Sequence, residues 1–165
     1  MISVLALLLA AQATLDTARI EQLTGLKGKL DEKEGVFKVS YPRSDLKVTA
    51  AGVHLTPPLG LTAWAAFSGG GAHTRVMGDL VLTEDQVNPT MSAALDNGLE
   101  VTALHNHFFW DSPRVMFMHI GGLGDEARLA AAVGKLRVLF LHYWGIGPAE
   151  DLAKAVRAAL AKTKQ

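Results

Sequence analysis

The chain has 165 residues, 16 basic and 16 acidic side chains, and a net charge of zero, so it lacks the basic footprint of a nucleic-acid binder. Its 49% hydrophobic content excludes disorder, and its length suits one domain with a real core. With no cysteine, a disulfide, a thiolate metal ligand and a cysteine nucleophile are all excluded.

Residues 1–13 open with an apolar run, Met1 to Ala10, followed by Ala11-Gln12-Ala13, a small-x-small cleavage pattern. The run is too short to cross a bilayer and fits the apolar region of a signal peptide. Its amino-terminal flank carries only the terminal amine, so a buried first helix or strand is the competing reading. Cleavage would leave a mature chain starting at Thr14, secreted or periplasmic. No cysteine stands at the cleavage point, so a lipid anchor is not expected.

From Thr14 to Thr24, Leu15, Ala18, Ile20 and Leu23 form the stripe of a short amphipathic helix, ended by Gly25 and Gly28. Val36 to Tyr41 alternates apolar and polar as a half-buried strand does, and Pro42 stops it. Leu46–Ala50 and Val53–Leu55 read as paired strands around an Ala51-Gly52 turn. Thr56 to Gly60 is a rigid loop, Thr62 to Phe67 a strand, and Ser68 to Ala72 a reversal. The next strand is Arg75 to Leu82. Thr83 then caps a helix, with Gln86 completing a capping box and Gly98 marking the end.

Leu99 to His107 is a strand carrying His105-x-His107, and Arg114 to His119 is the next, after a reversal through Trp110-Asp111-Ser112-Pro113. On a strand, residues i and i+2 point the same way, roughly 7 Å apart. His105 and His107 therefore aim at one point, and pairing of His105 across from His119 would bring three imidazoles together. Three neutral imidazoles hold a zinc-type divalent ion and leave one position open for water or substrate. The competing reading is three histidines packed on a half-buried sheet.

Arg114-Val-Met-Phe-Met-His119, two glycines and a helix to Val133 are echoed by Arg137-Val-Leu-Phe-Leu-His142 and a helix to Val156. The repeat units are 114–133 and 137–156, and the echo makes His142 a rival third ligand. Its longer connection favours His119. The expected fold is a single α+β domain over 14–165, with a mixed or antiparallel sheet and helices packed on it.

Several other residues are candidates for the chemistry. Glu84 and Asp85 could supply a carboxylate ligand or a general base, although acids in a first helical turn also complement the helix dipole. Asp79 and Glu100 are alternatives, with Glu100 expected to face away from His105. Arg43 could bind an anionic substrate or simply pair with Asp45. Phe109 and Trp110, with Phe108, could wall a pocket, and Arg114 could meet a substrate carboxylate. His54 reads as a strand residue and His73 as a solvated loop residue. A small-molecule ligand and a homo-oligomer fit this picture; nucleic acid and a membrane anchor do not.

Pro42-Arg43-Ser44-Asp45-Leu46-Lys47-Val48, Pro57 to Phe67, Met77 to Leu82, Glu84 to Pro89, Gly98 to His107 and Met116 to His119 together resemble the LppY/LpqO family of exported bacterial proteins of unknown function. The likeness spans Tyr41 to about Val133 and implies export without implying a reaction. The family's names imply lipoproteins, from which this chain departs by lacking the lipid-bearing cysteine. A fainter similarity links the His-x-His and Phe-x-His strands to the metal strands of acetolactate decarboxylase and of the plant-and-prokaryote-conserved domain. Three histidines bind zinc in those families, so zinc is the metal this likeness implies. Here the glycines follow His119 instead of preceding it. The resulting expectation is an exported metal-binding domain, either a metalloenzyme acting on a small oxygenated substrate or a non-catalytic periplasmic binding module.

Overall fold

The computed structural model describes residues 14–142, with side chains from 14 to 137. The expected signal peptide and residues 143–156 of the second repeat unit lie outside the described residues. The elements are α1 (Thr17–Thr24), β1 (Gly28–Asp31), β2 (Val36–Pro42), β3 (Thr49–Ala50), β4 (Val53–His54), β5 (Thr62–Ser68), β6 (Thr74–Thr83), α2 (Glu84–Asp96), β7 (Glu100–His105), β8 (Asp111–Ser112), β9 (Val115–Gly124) and α3 (Glu126–His142). Single 3-10 turns at Pro57–Leu59 and Gly71–His73 lead into β5 and β6.

Two antiparallel sheets form. The larger has six strands in the order β1-β2-β5-β6-β9-β7, and the smaller has three in the order β4-β3-β8. The fold is α+β, as the order of elements predicts. Two strands escaped the sequence reading: Gly28 opens β1, which turns back onto β2 with Gly28 opposite Val39 and Asp31 opposite Val36, and Asp111–Ser112, expected to be part of a reversal, pair with β3 as β8.

Alternation along the strands gives the large sheet two different faces. Phe37, Val39, Ala65, Phe67, Val76, Leu80, Leu82, Met118 and Ile120 point to one side, where Ile20 of α1, Ala94 of α2 and Leu129, Val133 and Leu136 of α3 close over them. On the other side, Val81 and Phe117 pack with Val48, Leu55, Leu61 and Val115 beneath the small sheet. At about 1.5–3 kcal/mol for each large apolar side chain removed from water, these two cores outweigh any single polar contact in the molecule.

The helix ends follow local chemistry. The Asp16 carboxylate accepts the Arg19 N–H at 2.9 Å to start α1, and Gly25, at φ +66°, ends it in the left-handed conformation. The expected capping box opens α2: the Thr83 backbone N–H donates to the Gln86 side chain at 3.1 Å, and the reciprocal bond is present. The Asp125 side chain accepts the Arg128 N–H at 2.9 Å at the start of α3.

The C-terminal element corrects the repeat. Residues 137–142, expected to be a second His-ending strand, are the last turns of α3, which runs through Val133 without a break. The run Val138-Leu139-Phe140-Leu141 is apolar without period-two alternation. Such a run fits a buried helix as well as a strand, and here it continues a helix already started. His142 therefore ends a helix and not a strand.

Candidate metal centre

Three elements bring the histidines together. β7 and β9 are neighbours, but their register differs from the expected one. His105 stands opposite Phe117, and His119 stands opposite Ala103, two pairs further along. Both imidazoles still share a face, because pairs along a ladder two residues apart point the same way. β7 ends at His105, so His107 lies just beyond the strand and not within it. Its ring lies flat on Phe117, centroids 3.5 Å apart and planes 9° apart, and stacks beside His105 at 5.0 Å. Phe117 itself is buried in the second core, so the stacking platform is rigid.

The resulting geometry suits a metal. One ligating nitrogen from each of His105, His107 and His119 lies within 4.8 Å of the others. The Nε2 atoms of His105 and His119 are 3.1 Å apart. Two nitrogens held about 2.0–2.1 Å from a tetrahedral zinc stand roughly 3.3–3.4 Å apart, so little movement is needed to admit an ion between them. Across that gap one ring nitrogen can donate to the other, the roles being set by the tautomers. The three-His cluster could thus hold a metal ion.

The electrostatics agree with that chemistry. Burial lowers the His107 imidazole below its ordinary value, with His105 and His119 acting in the same direction and Asp79 opposing them. A ring kept neutral is a ring ready to ligate. Asp79 on β6 stands directly opposite His119. Its Oδ1 is 3.7 Å from the His119 Nε2, closer than any other carboxylate ion-paired to these rings among the described residues. Burial raises the Asp79 carboxyl above its usual range, against the pull of His119, His107, His105 and Lys38.

The other candidates fall elsewhere. Arg43 is fully buried, and its guanidinium is committed to structure. It forks onto both Asp45 oxygens at 2.9 and 2.8 Å, donates to the Val81 carbonyl, and reaches the Gln86 side chain at 3.3 Å. Sealed from solvent, it cannot receive an anionic substrate, and it ties the start of α2 to β6. Glu84 is exposed at the first residue of α2 and joins no metal-holding group. Phe109 and Trp110 are 76% and 82% exposed on the loop after the centre, so they project outward instead of walling a pocket. Arg114 is exposed just before β9. His54 and His73 lie at the end of β4 and in the turn before β6. An apolar hollow lined by Val39, Tyr41, Ala65, Leu80, Val133 and Leu136 belongs to the helix-covered face, not to the imidazoles.

Two features of the centre were hidden from the sequence. A β-bulge between Val101 and Ala103 resets the alternation of β7, so Val101 packs in the helix-side core while His105 faces the opposite way. The same bulge places Glu100 opposite Gly121 on the side that carries His119, where strict alternation turns it away. The Phe117 platform was equally unannounced, although the Phe-x-His spacing on β9 is its trace.

Neither the curated proteins nor the solved structures offer a match to the chain. A family model described as Domain of Unknown Function (DUF1259) matches residues 18–137, from the first helix into the last, and the chain belongs to that family.

Proposed function

We propose that this chain is an exported metal-binding domain whose centre holds zinc on His105, His107 and His119, with one position open for water or a small oxygenated substrate. The observation that carries the reading is the convergence of three ligating nitrogens within 4.8 Å, two of them at nearly tetrahedral spacing. A ligand set of nitrogens without thiolates suits zinc. The exposure of the site supports an open position: 42% of the His119 side chain is accessible. A zinc ion there polarises a bound carbonyl or lowers the pKa of bound water. The leader-like residues 1–13 and the resemblance to the exported LppY/LpqO proteins support the location.

The enzyme reading is tested by offering the zinc-loaded protein activated esters and small 2-hydroxy and 2-oxo acids. Turnover that vanishes in stripped protein and in a His105→Ala, His107→Ala variant is expected. Zinc binding without turnover of any of these would favour the second reading, a non-catalytic periplasmic metal- or ligand-binding module. The shallow setting of the rings, with His107 exposed, is the observation on that side.

A further inference from the structure

The Asp79 carboxylate poses a problem that a metal makes sharper. Its Oδ1 is buried and accepts no hydrogen bond. The nearest ion-pairing nitrogen, the His119 Nε2, is 3.7 Å away, beyond hydrogen-bond range. A buried acceptor without a donor is costly, and native proteins leave few of them. Binding a metal removes the one donor that could close the gap. The Nε2 atoms of His105 and His119 face each other at 3.1 Å, so these are the nitrogens turned toward the metal position. Once they ligate, their lone pairs are engaged and neither carries a proton for Asp79. Lys38 and the three imidazoles are the charged or titratable groups acting on this carboxylate. Lys38 sits 4.2 Å over the Trp64 ring, the residue opposite Asp79 on its other flank.

We propose that Asp79 accepts its hydrogen bond from whatever occupies the open position of the three-His centre, making the centre select ligands that bring an O–H or N–H donor beside their metal-binding oxygen. The proposal rests on the metal reading given above. It narrows the substrate class to hydroxylic compounds, among them 2-hydroxy acids and hydrated carbonyls, with water as the resting occupant. It also disfavours simple anions. These carry no donor, and they approach a carboxylate that already faces the site. Asp79 is the natural supplier of this contact because it stands directly opposite His119, and cross-strand partners share a face about 5 Å apart.

The test compares wild-type and Asp79→Asn protein, each loaded with cobalt(II) and titrated with acetohydroxamic acid and with azide while the visible spectrum is followed. Acetohydroxamic acid brings a donor next to its metal-binding oxygen; azide brings none. Asp79→Asn should weaken the hydroxamate about 10-fold or more, the scale of a hydrogen bond to a charged acceptor, while azide binding holds or tightens. Asp79→Glu should recover part of the hydroxamate affinity. Equal loss of both ligands, or no change in either, overturns the proposal. So does a large loss of cobalt affinity in Asp79→Asn, which would make Asp79 a direct ligand. Wild-type protein that takes up no cobalt overturns the metal reading itself, an outcome distinct from all of these. A thermal melt of each variant shows that the fold is intact before the titrations are compared.

Discussion

His107 owes its place to Phe117 more than to its own backbone. It sits past the end of β7, where no ladder fixes it, and the 3.5 Å ring stack supplies the missing restraint. Phe117→Leu keeps an apolar side chain in the second core while removing the flat surface. It should weaken zinc binding by about 10-fold, the lower end of effects seen when a supporting group is removed, at a stability cost below about 1.5 kcal/mol. Zinc titration together with denaturant unfolding separates the two effects. Arg43 makes the opposite forecast. Arg43→Ala leaves the Val81 carbonyl, Gln86 and Asp45 without their shared donor, and should cost about 3 kcal/mol or more in urea unfolding. The folded fraction should still bind one zinc. A loss of zinc with stability unchanged would restore Arg43 to the site. His107 also sets a pH dependence. Its folded value is depressed, so the unfolded chain takes up its proton first as pH falls. The stability it contributes is present above the ordinary histidine value near 6.5 and is lost as pH drops toward the lowered one. Zinc should leave over the same acid range, since protonation competes for the same nitrogens. A pH series of melts with and without zinc reads both.

Between elements, α1 and α3 approach closely. A Cβ on Gly134 would stand 2.3 Å from the Leu23 carbonyl oxygen, a backbone atom that cannot swing aside. Gly134→Ala must push α1 outward and should destabilise by about 1–3 kcal/mol, although alanine is the better helix former. A more stable variant in urea would show that the two helices are not in contact. This level also shows what the sequence could reveal. The α2 capping box was readable because Thr83 and Gln86 act within one turn. The strand β2 was readable because its period-two alternation is written in consecutive residues. The pairing of His119 with Ala103, and the bulge behind it, were not. They depend on how β7 and β9 settle over two different cores, and no local pattern records that. The end of α3 failed for a related reason: an apolar run carries no period of its own, and the likeness of residues 137–142 to 114–119 outweighed the helix already under way.

At the scale of the whole molecule, the two cores close without the centre. The small-sheet cluster shares Phe117 with the histidine face, the helix-side cluster does not, and neither cluster includes an imidazole. Chelated protein should therefore stay folded, and zinc should raise its melting temperature in proportion to the logarithm of free zinc, as mass action requires. Unfolding on chelation would instead make the ion structural. The family model matches residues 18–137, a stretch that contains all three histidines and Asp79. The central claim is the metal centre, and calorimetric titration of chelator-stripped protein with zinc addresses it most directly. One equivalent should bind to the wild type and none to the His105→Ala, His107→Ala variant. A wild-type protein that stays metal-free through zinc, copper and manganese would contradict the account.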